Sequence, residues 1–323
     1  MSKIPVVVRR WDDTNAPVIA SGIPSEYLLM IKQVFVDGYG ATPGLGWSVV
    51  VDEISTATPY LVITNANNSG YIEFSAPDDV NYNSQIKIAG YLDYVDKNTT
   101  GRPTPFTSAK GYGSSATTLN SRWFIVGHAN GAYLTIDQPQ DADRYNYLAN
   151  RMGWFFYMGE MKQIHPNDTA LFNLITGEET DEVTADYRHT FNYGVLYLAP
   201  SSIGKSYPLD GSNTPNTMSV KCSICAGQPM QTDNSKAVDV SVQPGIIAPM
   251  YISQGVHTTP GQAFYDANNP FIRYGVPGVF QMDIAYDKSL PRPLIKDIKG
   301  QSHWIIYNSR TYSNMAAMNL VEW

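Results

Sequence analysis

Two cysteines three positions apart, in Cys222-Ser223-Ile224-Cys225, are the most motif-like chemistry in this chain. Two thiolates at that spacing can share a tetrahedral zinc ion or alternate as a redox pair. Zinc needs further ligands, and the histidines His128, His165, His189, His257 and His303 stand far apart, with no close pair to supply them. The segment around them reads as a strand, the wrong setting for a thioredoxin-type redox site. They are therefore read as structural thiols, since free cysteine behaves as a small buried hydrophobe, with a metal as the lesser alternative.

Oxygen ligands come next. Asp137, Asp141 and Asp143 are interleaved with Gln138 and Gln140, and a second acidic run holds Glu178, Glu179, Asp181 and Glu182. Hard cations favour oxygen-rich turns, yet the spacing and distal glutamate of an EF-hand are missing. Both runs are read as solvated loops, the first leading into a helix start, where acidic residues are favoured. No Gly-x-Ser-x-Gly nucleophile motif is present. The glycines at 38, 40, 44 and 46 lack the lysine of a phosphate loop and follow a helix instead of preceding one. Glycosidase carboxylates have no required spacing, and nothing nominates a pair of them above the acidic background. No catalytic, cofactor-binding or metal-binding residue is nominated, and the chain is expected not to be an enzyme.

The aromatic residues admit two readings. Tyr60, Tyr71, Tyr91, Tyr94, Tyr133, Tyr157 and Tyr197 could stack on sugar rings in a groove, or pack at protein interfaces with their hydroxyls hydrogen-bonded. The interface is the favoured reading, because tyrosine is enriched there. Composition agrees: only 16% of residues are charged while 12% are aromatic, which makes an uncharged-polar surface suited to meeting other protein. A net charge of −7 without a block of basic residues disfavours nucleic acid and anionic membrane as partners. Apolar runs fall far short of a spanning helix. The apolar run at residues 4–8 is too short for the core of a signal peptide, and two cysteines make no disulfide framework. Both points lead to an expectation of synthesis in a reducing cytoplasm.

What must position these residues is mostly sheet. One helix is predicted over residues 24–37, with Tyr27, Leu28, Ile31, Val34 and Phe35 on one face, Ser25 near its start and Gly38 at its stop. Strands are predicted at 47–53, 60–64, 71–74, 85–94, 123–126, 133–136, 154–158, 195–198, 219–224, 237–242, 250–253, 279–284 and 304–307. Ile72, Phe74, Ile86 and Ile88 alternate with Glu73, Gln85 and Lys87, the period of a strand with one buried face. The polar stretch 98–116 reads as an excursion loop, and 141–151 as a helical turn. Asn130-Gly131 reads as a tight hairpin turn with positive φ. The fold class is mainly β: antiparallel sheets, meander or sandwich-like, with a short helix in the N-terminal region. The predicted organisation is an α+β meander domain over 1–140 and a β-rich domain over 141–323.

Along the chain lie the helix ending in Gly38-Tyr39-Gly40, Leu45-Gly46-Trp47, Gly90-Tyr91, Trp123-Phe124-Ile125-Val126, and Phe156-Tyr157-Met158-Gly159-Glu160 leading to Asn167-Asp168. They continue with Val276-Pro277-Gly278-Val279-Phe280, Pro291-Arg292-Pro293-Leu294 and Leu320-Val321-Glu322-Trp323. This order resembles a family of tailed-bacteriophage virion proteins. The resemblance implies a virion component without an assigned activity, and so transfers no catalytic positions. Residues 180–270 have no counterpart in it and read as a specialised insertion that carries Cys222 and Cys225. The resemblance leads to the expectation of a non-enzymatic structural protein of the capsid surface, neck or collar, or tail. It would be made in the bacterial host cytoplasm, carried on the virion, and would act as a homo-oligomer through multivalent contacts with other virion proteins. The rival expectation is a tail protein that binds or depolymerises a host glycan.

Overall fold

The chain enters through a short strand, β1 (Val7–Arg10), and then forms helix α1 (Pro24–Lys32), continued by a π-helical turn (Gln33–Asp37). This computed structural model describes residues 3–81, 84–97, 99–110, 122–137, 154–176, 204–206, 216–222, 239, 241–254, 272–284, 286, 293–307 and 315–323. The predicted helical face is buried as expected, with Met30 added to it. Pro24 sits in the first turn, where its missing N–H costs nothing. Ser25 does not cap the helix: Ile23 holds the N-cap position, and the Ser25 N–H is itself taken by the Asp79 carboxylate at 2.8 Å. Glu26 reaches back to accept from the Ser21 and Gly22 N–H groups at 2.8 and 2.7 Å. Gly38, at φ 82°, ends the helix by donating to the Gln33 carbonyl at 2.7 Å. Leu45 and Trp47 then donate back to the Val34 and Phe35 carbonyls, so the glycines of 38–46 build a helix-to-strand turn.

A five-stranded antiparallel sheet follows, built from β2 (Ser48–Asp52), β3 (Tyr60–Thr64), β4 (Tyr71–Ser75) and β5 (Gln85–Tyr91). A two-stranded ribbon of β6 (Tyr94–Asp96) and β7 (Thr99–Thr100) interrupts it before β8 (Pro103–Lys110) returns to pair with β5. The expected strand over 85–94 is thus split. The loop expected over 98–116 is corrected too, because β8 runs through it. Its prolines, threonines and serines read as loop, yet β8 forms the sheet edge, where a missing ladder N–H is tolerated.

The second sheet has the order β1-β9-β10-β11-β13, with β9 (Arg122–His128), β10 (Gly131–Asp137), β11 (Trp154–Glu160) and β13 (Phe172–Ile175); β12 (Lys162–Gln163) leaves it to pair elsewhere. The β9–β10 hairpin forms where expected, with His128 opposite Gly131, but neither Asn130 nor Gly131 takes positive φ. Gly131 is required by space: a Cβ there would lie 2.3 Å from the Tyr157 hydroxyl.

The third sheet runs β14-β15-β16-β17-β20-β19-β18, with β12 added on β17. Its strands are β14 (Gly204–Ser206), β15 (Asn216–Cys222), β16 (Ile247–Gln254), β17 (Ile272–Met282), β18 (Ile295–Ile298), β19 (Gln301–Tyr307) and β20 (Met315–Asn319). The strand expected at 237–242 is corrected: Ser241 and Val242 both donate back to Asp239, a turn stabilised by the aspartate side chain. Residues 141–151 and 195–198 lie outside the described residues.

The layering explains why the middle of the chain reads as unbroken apolar runs. Trp123, Ile125, Leu134, Phe156 and Met158 of the second sheet share a core with Leu61, Ile63, Ile72, Phe74 and Ile88 of the first sheet and with the helix. The intervening Phe124, Val126, Tyr133, Phe155 and Tyr157 point the other way, into a core with Ile252, Tyr274, Trp304, Ile306 and Met318 of the third sheet. A sheet covered on both faces loses the polar alternation of a half-exposed one. Each such aliphatic or aromatic side chain stabilises by about 1.5–3 kcal/mol through burial. The boundary at residue 140 falls between β10 and β11, which pair directly, so it divides the middle sheet.

Candidate functional site

The seven tyrosines singled out from sequence separate into two groups, with Tyr197 outside the described residues. Tyr60, Tyr71 and Tyr91 lie on the face of the first sheet turned away from the helix, and Tyr94 reaches over them from the β6–β7 ribbon. The Tyr94 ring stands 5.8 Å from Tyr71 and 6.3 Å from Tyr91, and its hydroxyl meets that of Tyr60 at 2.9 Å. At the centre is Glu73, a buried carboxylate. It accepts from the Tyr60 hydroxyl and the Ser75 hydroxyl, each at 3.1 Å, and from Tyr91. Sequence alternation marks Glu73 as solvent-facing, and the tyrosines that enclose it were the available sign to the contrary. Burial, the Tyr94 hydrogen bond and the Glu73 charge together push the Tyr60 phenol far above its ordinary range. Such phenols stay protonated and donate, so they hold the carboxylate in place. Lys97 adds a cation 4.5 Å over the Tyr60 ring while bonding Glu53 at 2.8 Å.

Tyr133 and Tyr157 belong instead to the core between the second and third sheets, which neither a groove nor an interface reading anticipates. They are directly opposed in register, with ring centroids 4.8 Å apart, and burial holds both phenols well above the usual value. Tyr133 donates to the Pro277 carbonyl at 2.8 Å. Residues 276–279 bulge out of β17, since the partner strand offers only Met250 between Pro249 and Tyr251 for the stretch between Phe280 and Gly275. The Trp323 indole seats on this bulge. A Cβ on Gly278, which sits at φ 64°, would come within 2.0 Å of it. Trp323 is also 5.3 Å from both the Tyr133 and the His128 rings.

A third polar centre was missed entirely. Arg273, on β17, is fully buried against Asp168, with Nη2 and Nε at 2.6 and 2.8 Å from Oδ2. The Asp168 Oδ1 accepts the Ala170 N–H at 3.1 Å, and the Tyr274 hydroxyl donates to the Ala170 carbonyl at 2.8 Å. Gln163 donates to the His165 and Asp168 carbonyls, and His165 meets the Ile272 carbonyl at 3.0 Å. The loop between β12 and β13 is thereby fastened to the start of β17. Asn167-Asp168 stood in the sequence, but nothing local pointed to an arginine 105 positions later.

Cys222 ends β15, opposite Met250, and Cys225 lies outside the described residues. His128, His165 and His303 stand at separate places, His303 beside the Gln301 carbonyl; His189 and His257 lie outside. Asp137 ends β10 opposite Arg122, and Asp141, Asp143 and the run from Glu178 to Glu182 lie outside. Among the described residues no three His, Cys, Asp or Glu side chains group so as to hold a metal ion. A scan against protein-family models and a search of curated proteins return no match to the chain.

Proposed function

We propose that this protein is a non-enzymatic structural component of a tailed-bacteriophage virion, working as a homo-oligomer through contacts with other virion proteins at the capsid surface, neck or tail. The observation that supports this most is where the resembling segments meet. Trp123-Phe124-Ile125-Val126, Phe156-Tyr157-Met158, Val276-Pro277-Gly278-Val279 and Leu320 to Trp323 come from distant parts of the sequence and pack around the middle sheet. The likeness therefore follows one packed unit and not scattered surface matches. The buried Tyr133, Tyr274, Arg273 and Asp168 side chains bond to one another and to backbone, an arrangement suited to rigidity. No described helix is long and apolar enough to cross a membrane. Purified particles should contain this chain at fixed stoichiometry by quantitative mass spectrometry, with matching density in a particle reconstruction. Absence from purified, infectious particles overturns the proposal.

A second reading, glycan binding, is favoured by one feature: the Tyr71 and Tyr94 rings are only partly buried beside Glu73. A glycan array separates the two. Binding that Tyr94→Ala abolishes supports the receptor role, and no binding above background leaves the structural one.

A further inference from the structure

We propose that His128 is an acid-sensitive clasp, which when neutral holds the 320–323 segment against the middle sheet and when protonated loosens it. The turn at 128–131 is a meeting point of several elements. The Trp47 indole donates to the His128 carbonyl at 3.3 Å, Ala66 N–H donates to the Ala129 carbonyl at 2.9 Å, and the Asn65 side-chain amide and the Glu160 backbone N–H both donate to the Asn130 carbonyl. Its backbone is therefore fixed by the first sheet and by β11. The imidazole itself accepts the Asn130 N–H on Nδ1 at 3.1 Å, which places the neutral ring's proton on Nε2. Its ring lies 5.3 Å from the Trp323 ring in an edge-type contact, with 67° between the planes.

Protonation places a second donor on Nδ1, facing the Asn130 N–H. The backbone on that side cannot yield, so the ring must turn, and the side free to respond is the one carrying Trp323. That side is held by a narrow antiparallel pairing: Ile4 and Trp323 exchange two backbone bonds at 2.9 Å, and Val6 N–H donates to the Val321 carbonyl at 3.0 Å. Trp323 adds its indole bond to the Asn319 carbonyl at 3.0 Å.

The charged surroundings do little to retain a proton on the ring. Glu160, on β11, is the carboxylate acting on it, and its oxygens are taken by Asn67 at 3.0 and 3.2 Å. Glu322, beside Trp323, is engaged by Lys3 and by Gln301. The bulge of Val276, Pro277, Gly278 and Val279 carries no ionisable group, Trp47 and Asn65 are neutral, and Tyr133 and Tyr157 keep their protons. Burial therefore outweighs Glu160 and lowers the His128 pKa from 6.5. An open form with solvated His128 binds the proton more tightly than the closed form. The closed form is fully favoured above the exposed value and loses ground as pH falls below it. Opening gains about tenfold for each unit separating the two proton affinities.

Hydrogen–deuterium exchange of the intact chain, corrected for intrinsic rate, tests this at about pH 7.5 and about pH 5. Exchange across 320–323 and 4–8 should rise on acidification, with β3–β5 as an unchanged reference, and His128→Gln should remove the rise. An equal rise in β3–β5, or a rise that survives His128→Gln, overturns the clasp. Should that variant fail to fold, an NMR titration of the unmodified protein decides. A His128 midpoint below 6.5, tracked by the Trp323 indole N–H resonance, supports the clasp, and a midpoint at or above 6.5 overturns it.

Discussion

The two cores on either side of the middle sheet are built by different means. Between the first and second sheets, Leu61, Ile63, Ile72, Ile88, Ile125, Leu134 and Met158 meet with few polar atoms among them. Between the second and third sheets, the apolar contacts are laced with polar tethers: the Tyr133 bond to Pro277, the Tyr274 bond to Ala170, and the Arg273–Asp168 pair. Shape and area hold the first core, and it tolerates small changes of side chain. Directional bonds hold the second, so it specifies where the third sheet sits but fails sharply when one partner is lost.

The largest test of that difference is Asp168→Ala, which removes the carboxylate paired with the buried Arg273 guanidinium. It should cost about 3–5 kcal/mol in chemical denaturation, while replacing both residues by apolar ones of similar volume should recover most of the loss. Equal costs for the single and double variants would mean that the pair is no more than filler. Gly278→Ala comes next. It forces a Cβ onto the Trp323 indole at a residue with φ of 64°, and overpacking of this kind costs about 1–3 kcal/mol. A neutral outcome would show that Trp323 does not hold the bulge. In the first core, Ile88→Val removes one methylene and should cost about 0.5–1.5 kcal/mol. A loss as large as that of Asp168→Ala would erase the distinction between the cores.

The same contrast separates what could be read from sequence. The first core was legible because its strands alternate and its helix repeats every three to four positions, so Ile72, Phe74, Ile86, Ile88 and the face of Tyr27 to Phe35 declare themselves. The hydrophobic runs of β9 to β11 were legible as strands but not as a shared middle layer, since burial on both faces erases the period that tells one face from the other. Met315–Asn319 escaped notice because alanine and methionine carry little strand preference, and β8 because its edge position excuses its prolines. The polar centres escaped for a deeper reason. Arg273 reads as a surface residue until Asp168 is placed beside it, and Glu73 reads as solvent-facing until three hydroxyls are. Such partners are chosen by topology, and no local pattern encodes them.

The smallest expected effect belongs to the exposed counterpart of the buried pair. Lys32, in the last turn of α1, bonds Asp52 on β2 at 2.8 Å and lies 3.6 Å from Asp37. The Lys32 hydrogen bond, opposed by modest burial, holds the Asp52 carboxyl below its ordinary value of 3.8. A carboxylate with a lowered folded-state pKa stabilises above its unfolded value and loses that contribution as pH falls through the folded one. Both groups remain partly in water, so screening limits the pair to about 0.2–1 kcal/mol, several-fold less than the Arg273–Asp168 pair. A double-mutant cycle on Lys32→Met and Asp52→Asn should give that coupling near neutral pH and none once Asp52 is protonated. Coupling that persisted in acid would have to come from packing of the lysine stem. Coupling as large as the buried pair's would mean that solvent does not separate the two kinds of ion pair in this fold.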